Sequence, residues 1–165
     1  MSNWTPVLIA IGSNIEPERN LPGAVKALEQ QPQIKLRAVS PVYESLPVGT
    51  SVDQPSFFNA AAFIETDLKP DALKEALLGI EESLGRVRTA DRYAPRTIDL
   101  DIALYGQQIF ELNGRYIPDP DVAKFAHVAL PLADLAPDWV HPELGLTLAE
   151  ITKGLHFSDK EIQKL

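Results

Sequence analysis

The chain has 165 residues, no cysteine and a formal net charge of −8, and these values exclude several classes of protein. The acidic balance argues against a broad nucleic-acid interface, since contact with phosphates needs a surplus of Lys and Arg. Without cysteine there is no disulfide framework, thiolate nucleophile or cysteine metal site. We therefore expect one cytoplasmic domain over residues 1–165, most simply a monomer, that uses neither nucleic acid nor a membrane.

The first third of the chain predicts a strand, a helix, a second strand and a long loop. Residues 7–11 form a short apolar run, ended by Gly12, that is too short to cross a membrane and is typical of a buried strand. Residues 18–30 place apolar side chains at helical spacing, and residues 34–39 alternate with the period of two of a half-buried strand. Residues 40–56 contain three prolines and predict a loop.

The next segment predicts a strand, a helix, a loop and a strand. Residues 57–65 are rich in Phe, Ala and Ile, and residues 69–84 repeat Leu and Ile at spacings of three and four. A polar loop over residues 86–96 leads to a strand in which Ile98, Leu100, Ile102 and Leu104 alternate with the intervening residues. The β-α-β-β-α-β order predicts an α+β, ferredoxin-like antiparallel sheet with helices packed on it.

A short C-terminal extension follows this unit. It contains a candidate strand near Ile109 and two short helices, around Leu132 and Leu148, which are expected to extend and cover the core.

Asp99 and Asp101 are the first candidates for chemistry. They stand two residues apart on a predicted strand, so both side chains leave the same face with α-carbons about 6.6 Å apart. Two carboxylates that close repel each other unless a cation lies between them, and Mg²⁺ prefers such oxygen ligands. The alternative is a solvated strand face that happens to carry two acids.

A cluster of arginines precedes this acidic strand. Arg86, Arg88, Arg92 and Arg96 lie within eleven residues of an otherwise acidic chain. Guanidinium groups bind phosphate oxygens in pairs of hydrogen bonds and keep their charge, so arginines beside a carboxylate metal site are typical of phosphoryl transfer. The alternative is a set of surface salt bridges to Asp91 or Glu81.

Other signatures are weak or absent. No Walker-type or kinase-type glycine loop is present, and the histidines lack metal-binding spacing. Phe57 and Asn59 share one face of a predicted strand, where a flat ring beside an amide suits a flat heterocycle, although strand aromatics usually belong to the core.

Four segments together resemble the 6-hydroxymethyl-7,8-dihydropterin pyrophosphokinases of folate biosynthesis. They are IAIGSN at 9–14, DQPSFFNAA at 53–61, IEESLGRVR at 80–88 and APRTIDLDIALYG at 94–106, and the likeness extends over about residues 7–152. The resemblance implies a ferredoxin-like fold and an enzyme that moves the β,γ-pyrophosphoryl unit of ATP to the hydroxymethyl group of a pterin alcohol, with release of AMP.

The same resemblance implies a role for each matching residue. Asp99 and Asp101 would hold two Mg²⁺ ions, and Arg86 and Arg96 would be the catalytic arginines of a mobile loop that contact the phosphates. The nucleotide site would also include Glu81, Arg88 and Ile102. The pterin site would be formed by Ser45, Leu46, Val48, Phe57, Asn59 and His127.

The chain also departs from the common pattern of the family. Asp119 follows Pro118 where a histidine is usual, Phe125 replaces an arginine, and His127 replaces a second stacking phenylalanine. Tyr93 stands where a tryptophan is common. These departures keep two alternatives open, a diverged paralogue acting on another small alcohol and a weakly active homologue that binds ATP and pterin. A third, an RNA-recognition module of the same βαββαβ order, is disfavoured by the acidic balance.

Overall fold

The computed structural model of the chain describes residues 3–46, 55–87, 89–90 and 94–165. Over these residues the main sheet contains β1 (Thr5–Ser13), β2 (Ile34–Val39), β3 (Tyr43–Ser45), β4 (Phe57–Thr66), β5 (Asp99–Tyr105) and β8 (Ile162–Lys164), whereas β6 (Phe110–Leu112) and β7 (Arg115–Ile117) form a separate hairpin. The α-helices are α1 (Pro17–Glu29), α2 (Pro70–Ser83), α3 (Ala126–Leu135) and α4 (Leu148–Lys153), and Pro120–Ala123 forms a 3₁₀ turn.

The main sheet is antiparallel at each strand pairing. β1 lies between β5 and β4, while β2 and β3 pair with successive halves of the other edge of β4. When β2 and β3 are counted as one interrupted strand, the ferredoxin-like unit has the strand order 4-1-3-2. The predicted α+β fold with helices packed on an antiparallel sheet is confirmed.

Helices cover both faces of the sheet. On one face, α1 and α2 contribute Leu28 and Leu77 to a core shared with β1 and β4. On the other face, α3 and α4 contribute Leu132 and Leu148 to a second, smaller core. This second layer confirms the two short helices expected near Leu132 and Leu148, and it leaves the ends of β1, β4 and β5 accessible beside the start of α3.

A β-bulge divides β5 into two parts. Ile9 pairs with Ile102 but Leu8 pairs with Leu104, so Ala103 is an extra residue in the strand. Ile102 therefore belongs to the core with α1 and α2, whereas Leu104 belongs to the core with α3 and α4. The predicted alternation that placed Leu104 on the same face as Ile102 is wrong for this reason.

Other short elements also differ from the expected ones. The loop predicted for residues 40–56 contains β3 at residues 43–45, and residues 47–54 lie outside the described part of the chain. β8 pairs with the outer edge of β3 and was not expected. The candidate strand near Ile109 is the β6–β7 hairpin, whose turn at Asn113 and Gly114 has positive φ at both positions, as in a type I′ turn.

No helix within the described residues is long and apolar enough to cross a membrane.

Candidate active site

A cleft of about 410 Å³ opens on the sheet face that carries α3. Its floor is formed by β1, β4 and β5, and its walls by β3, the residues after α2 and the start of α3. Gly12 on β1 lies between Asn59 on β4 and Asp99 on β5 in the strand register. Since Gly12 has no side chain, the floor is open between the amide and the carboxylate.

Asp99 and Asp101 both point into this cleft, as their spacing predicts. Their side chains are 23% and 20% exposed, while Leu100 between them is fully buried on the opposite face. Burial, followed by the charge of Asp99, raises the pKa of Asp101 to about 7, and the opposing charges of Arg115 and Lys74 only partly offset these effects. The two carboxylates thus form an acidic pair that a cation would stabilise.

Arg86 and Arg96 approach Asp99 from two sides. The Nη1 atom of Arg86 lies 3.5 Å from one Asp99 carboxylate oxygen, and Nη1 of Arg96 lies 3.2 Å from the other. Arg86 also donates to the Ile98 carbonyl at 2.6 Å, and the Arg96 backbone N–H donates to the Asn14 side-chain oxygen at 2.8 Å. The predicted meeting of a cationic loop with the acidic strand is therefore present in the structure, where Asp99 is a partner of both Arg86 and Arg96.

Arg115 approaches Asp101 from the β6–β7 hairpin. Its guanidinium lies 3.5 Å from an Asp101 oxygen and 3.2 Å from an Asp119 oxygen, and Lys74 is 4.0 Å from Asp101. Asp119 is buried, which raises the pKa of its carboxyl group, and its side chain accepts a hydrogen bond from the Asp121 backbone N–H. Arg115 therefore balances two carboxylates of the cleft.

The end of the cleft away from the two aspartates is formed by neutral groups on β3 and β4. Asn59 is buried and donates from its side-chain nitrogen to the Ser45 hydroxyl at 2.7 Å and, more weakly, to the Tyr43 carbonyl at 3.3 Å. The ring of Phe57 lies beside it, with the guanidinium of Arg96 5.7 Å from the ring centroid. Phe57 and Asn59 thus share the cleft face, as the period of two predicts.

His127 lies on the opposite wall, at the start of α3. Its ring stacks on that of Phe125 with a centroid distance of 5.2 Å and an interplanar angle of 27°. Burial lowers the pKa of His127, and the nearby charge of Asp121 opposes that shift only in part. A neutral, flat histidine therefore borders the cleft and stacks on a second ring, Phe125, that also lines it.

Glu81 and Ile102 lie beneath the cleft instead of lining it. Glu81 is 1% exposed and accepts a hydrogen bond from the Leu100 backbone N–H at 2.7 Å, so its carboxylate braces the strand that carries the two aspartates. Ile102 is buried in the core with α1 and α2, and it borders only a small second cleft beside Lys74 and Arg115. Arg88 and Val48 fall outside the described residues.

Comparison with known proteins shows the family of the chain. Residues 8–137 match the family of 7,8-dihydro-6-hydroxymethylpterin pyrophosphokinases (HPPK). The chain belongs to the HPPK family. It is 43% identical over 94% of its length to a Pseudomonas aeruginosa protein named 2-amino-4-hydroxy-6-hydroxymethyldihydropteridine pyrophosphokinase, of which it covers 94%. It is 40% identical over 95% of its length to the Haemophilus influenzae protein of the same name, of which it covers 96%.

The fold is shared with solved structures of much lower sequence identity. The chain aligns with the HPPK-DHPS protein of Plasmodium falciparum at a TM-score of 0.73 and 14% identity, covering 91% of this chain and 45% of that one. The chain thus spans less than half of that longer protein.

Arg115 is a charged residue of this HPPK cleft that the sequence did not predict. It lies nine residues after Gly106, outside the predicted loop of arginines. The available signal was Asn113-Gly114, a dipeptide typical of a two-residue hairpin turn, which would fold the arginine back towards the strand before it.

Proposed function

We propose that this HPPK-family protein transfers the β,γ-pyrophosphoryl group of ATP to the hydroxymethyl group of 6-hydroxymethyl-7,8-dihydropterin, with release of AMP. The single observation that carries the proposal is the placement of Asp99 and Asp101 between Arg86, Arg96 and Arg115 in one cleft that also contains Asn59. Carboxylates that attract a metal ion, cations that bind phosphate and a neutral amide pocket are the parts that this reaction needs.

The end of the cleft that contains Asp99, Asp101 and the three arginines, which we call the charged end, has the carboxylate oxygens that Mg²⁺ prefers. Within the described residues no group of three or more His, Cys, Asp or Glu is placed to hold a metal ion, and Mg²⁺ is commonly held by only one or two carboxylates together with water and substrate phosphates. We propose that Asp99 and Asp101 would hold two Mg²⁺ ions. The charge of these ions would stabilise the bridging phosphate oxygens and the leaving group.

The arginines are proposed to bind and orient the triphosphate. In the structure Arg86 and Arg96 neutralise Asp99, and Arg115 neutralises Asp101. When phosphates and Mg²⁺ enter, each guanidinium can exchange its carboxylate partner for a phosphate oxygen without losing a hydrogen bond. The arginines would thus compensate the carboxylates in the empty cleft and the phosphates in the filled one.

We call the neutral end of the cleft, formed by β3, β4 and the start of α3, the acceptor end. It is proposed to hold the pterin ring flat against Phe57 and His127. Asn59 is oriented by Ser45, which leaves its side-chain oxygen available to an N–H group of the ring. The backbone of Ser45 and Leu46 is proposed to bind the same ring. The pterin oxygen then forms a bond to the β-phosphorus, the bond from that phosphorus to the α,β-bridging oxygen breaks, AMP leaves with this oxygen, and the hydroxyl proton passes to solvent.

AMP release measured by chromatography tests the proposal. AMP should form from ATP with Mg²⁺ and 6-hydroxymethyl-7,8-dihydropterin, and should not form with 6-methyl-7,8-dihydropterin, which lacks the accepting hydroxyl. AMP formation with another small alcohol but not with the pterin would contradict the proposal and favour a diverged paralogue. Binding of both substrates without turnover would favour a weakly active homologue.

The remaining expectations stay predictions. A single domain over residues 1–165, a monomer and a cytoplasmic location, where ATP is available as substrate, are each part of the proposal. Light scattering during size-exclusion chromatography tests the monomer, and fractionation of cells tests the location.

A further inference from the structure

β3 is a three-residue strand that carries much of the acceptor end. Ser45 and the Tyr43 carbonyl hold the Asn59 side chain, and Leu46 lines the cleft. Three residues supply few hydrogen bonds of their own, so the position of β3 depends on its neighbours. β8 pairs with its outer edge, and the Leu46 backbone N–H donates to the Glu161 carbonyl at 3.1 Å.

The side chain of Tyr43 connects β3 to α3. Tyr43 is 6% exposed, and its hydroxyl donates to a carboxylate oxygen of Asp134 at 2.5 Å. Burial and this hydrogen bond both raise the pKa of Tyr43, so the phenol stays protonated and remains a donor. Asp134 lies two helical turns after His127 on α3, so the hydrogen bond joins the wall that carries Ser45 to the wall that carries His127.

Lys164 on β8 completes this contact. Its ammonium group lies 3.4 Å from the same Asp134 oxygen and 5.4 Å from the centroid of the Tyr43 ring. Since the Lys164 side chain is 51% exposed, solvent screens its ion pair, and its contribution is smaller than that of the buried tyrosine. We call Tyr43, Asp134 and Lys164 the latch.

We propose that the latch positions the acceptor site, with Tyr43 and Asp134 acting as positioning residues that hold β3 against α3. The edge of a flat ring stacked on His127 then meets the Asn59 side chain, which β3 orients. The proposal rests on the proposed function for the identity of the ring, a pterin alcohol. The latch touches neither the arginines nor the aspartates of the charged end in the described structure, so ATP binding should be independent of it.

The matched experiment compares Tyr43→Phe with Tyr105→Phe. Tyr105 is also buried, at 5% exposure, and its hydroxyl donates at 2.5 Å to the Leu68 carbonyl, away from the cleft. Both changes remove one hydroxyl and keep the ring. We expect Tyr43→Phe to raise the KM and Kd for the pterin by about fivefold to tenfold while the Kd for a nonhydrolysable ATP analogue stays within about twofold, and Tyr105→Phe to change neither.

Conservative replacement separates positioning from simple loss of stability. Asp134→Asn keeps an oxygen that can accept the hydrogen bond from the Tyr43 hydroxyl, so this variant should retain more pterin affinity than Asp134→Ala. Lys164→Met should weaken pterin binding by only about twofold. The control for Lys164→Met is Lys35→Met, which also removes a lysine ammonium group beside an aromatic ring, 4.0 Å from the centroid of Trp4. Lys35→Met should have no effect on pterin binding. Equal pterin affinity of wild type and Tyr43→Phe, or an equal loss in Tyr105→Phe, would overturn the proposal.

Hydrogen exchange tests the latch without the pterin. The Leu46 amide should exchange faster in Tyr43→Phe than in wild type or Tyr105→Phe, because the strand loses its tie to α3. Unchanged Leu46 exchange in Tyr43→Phe would overturn the latch even if the enzyme is active. Absence of AMP release by the wild-type protein would instead contradict the proposed function, and Leu46 exchange would still decide whether the latch holds β3.

Discussion

The two ends of the cleft are built in different ways. The charged end takes its ionic side chains mainly from residues 86–119, on β5 and the segments that flank it. The acceptor end takes its neutral groups from β3 and β4 and from α3, which is far from both strands in the sequence. Charged groups stabilise the charge that develops in the transition state, whereas the shape of the neutral pocket determines how well the ring binds. We therefore expect changes at the charged end to lower turnover and changes at the acceptor end to lower pterin affinity.

The largest effect is expected at the acidic pair. Asp99→Ala and Asp101→Ala should each lower kcat by roughly three orders of magnitude or more, because each change removes a proposed metal ligand and its charge. Both side chains face the cleft instead of the core, so the unfolding temperature should change little. AMP release and thermal unfolding measure the two effects, with Asp138→Asn, an exposed acid outside the cleft, as the control. Near wild-type turnover would refute the metal assignment.

The next effect concerns Arg115. Arg115→Gln should raise the KM for ATP by roughly tenfold to a hundredfold, the size expected for losing a hydrogen bond to a charged group, and should leave the pterin Kd unchanged. Arg37→Gln is the control, since Arg37 pairs with Glu65 on the sheet away from the cleft. A change in pterin affinity without a change in the KM for ATP would break the division between the two ends.

A smaller effect is expected from filling the floor of the acceptor end. A Cβ at Gly12 would stand 3.8 Å from the Asn59 side-chain oxygen and 3.8 Å from a Phe57 ring carbon, both ordinary contacts. Gly12→Ala should therefore fold normally, yet bind the pterin about fivefold more weakly, because the methyl group would occupy the open floor between Asn59 and Asp99. Gly79→Ala, where nothing lies within 4 Å, should leave pterin affinity unchanged. Calorimetry that shows equal affinities for Gly12→Ala and wild type would place the ring elsewhere.

The smallest effect concerns pH. Burial holds the pKa of His127 below its ordinary value of 6.5, so between the two values the unfolded chain binds more protons than the folded one, and stability falls as pH drops through this window. Pterin affinity should weaken by about threefold as pH falls further, through the lowered pKa of His127 in the folded protein, because a charged ring is costly to bury. His127→Phe should lack this dependence, whereas His156→Gln, a change at an exposed histidine, should keep it. Parallel pH profiles for wild type and His127→Phe would exclude His127 from the pterin site.

The difference between the two ends also explains what the sequence could predict. Asp99, Asp101, Arg86 and Arg96 are close in sequence, and strand periodicity alone places the two carboxylates on one face. The main strands and helices were predicted for the same reason, since each carries its own apolar repeat. The position of His127 opposite β3 depends on how α3 packs, and the fold supplies that position.

Short elements escaped prediction because they depend on partners. β3 has three residues between Pro41 and Pro47, and β8 has three residues of mixed polarity, so neither shows a period. The bulge at Ala103 was hidden for another reason: residues on both sides of it are apolar, and the change of face leaves the pattern of apolar residues intact. Glu81 is the opposite case. The family resemblance predicted a role for it in the nucleotide site, but it did not predict the buried position of Glu81 beneath β5.

The row Asn59–Gly12–Asp99 crosses adjacent strands and acts as a molecular ruler. Neighbouring strands of a sheet are about 4.8 Å apart, so the amide that is proposed to bind one edge of the acceptor lies about 10 Å, measured between α-carbons, from the first carboxylate. Backbone hydrogen bonds fix this length, and no side-chain rotation can change it. With the ring held at Asn59 as we propose, an acceptor longer by one fused ring would carry its hydroxyl past Asp99, and the sheet would set the size of alcohol that can receive the transferred group.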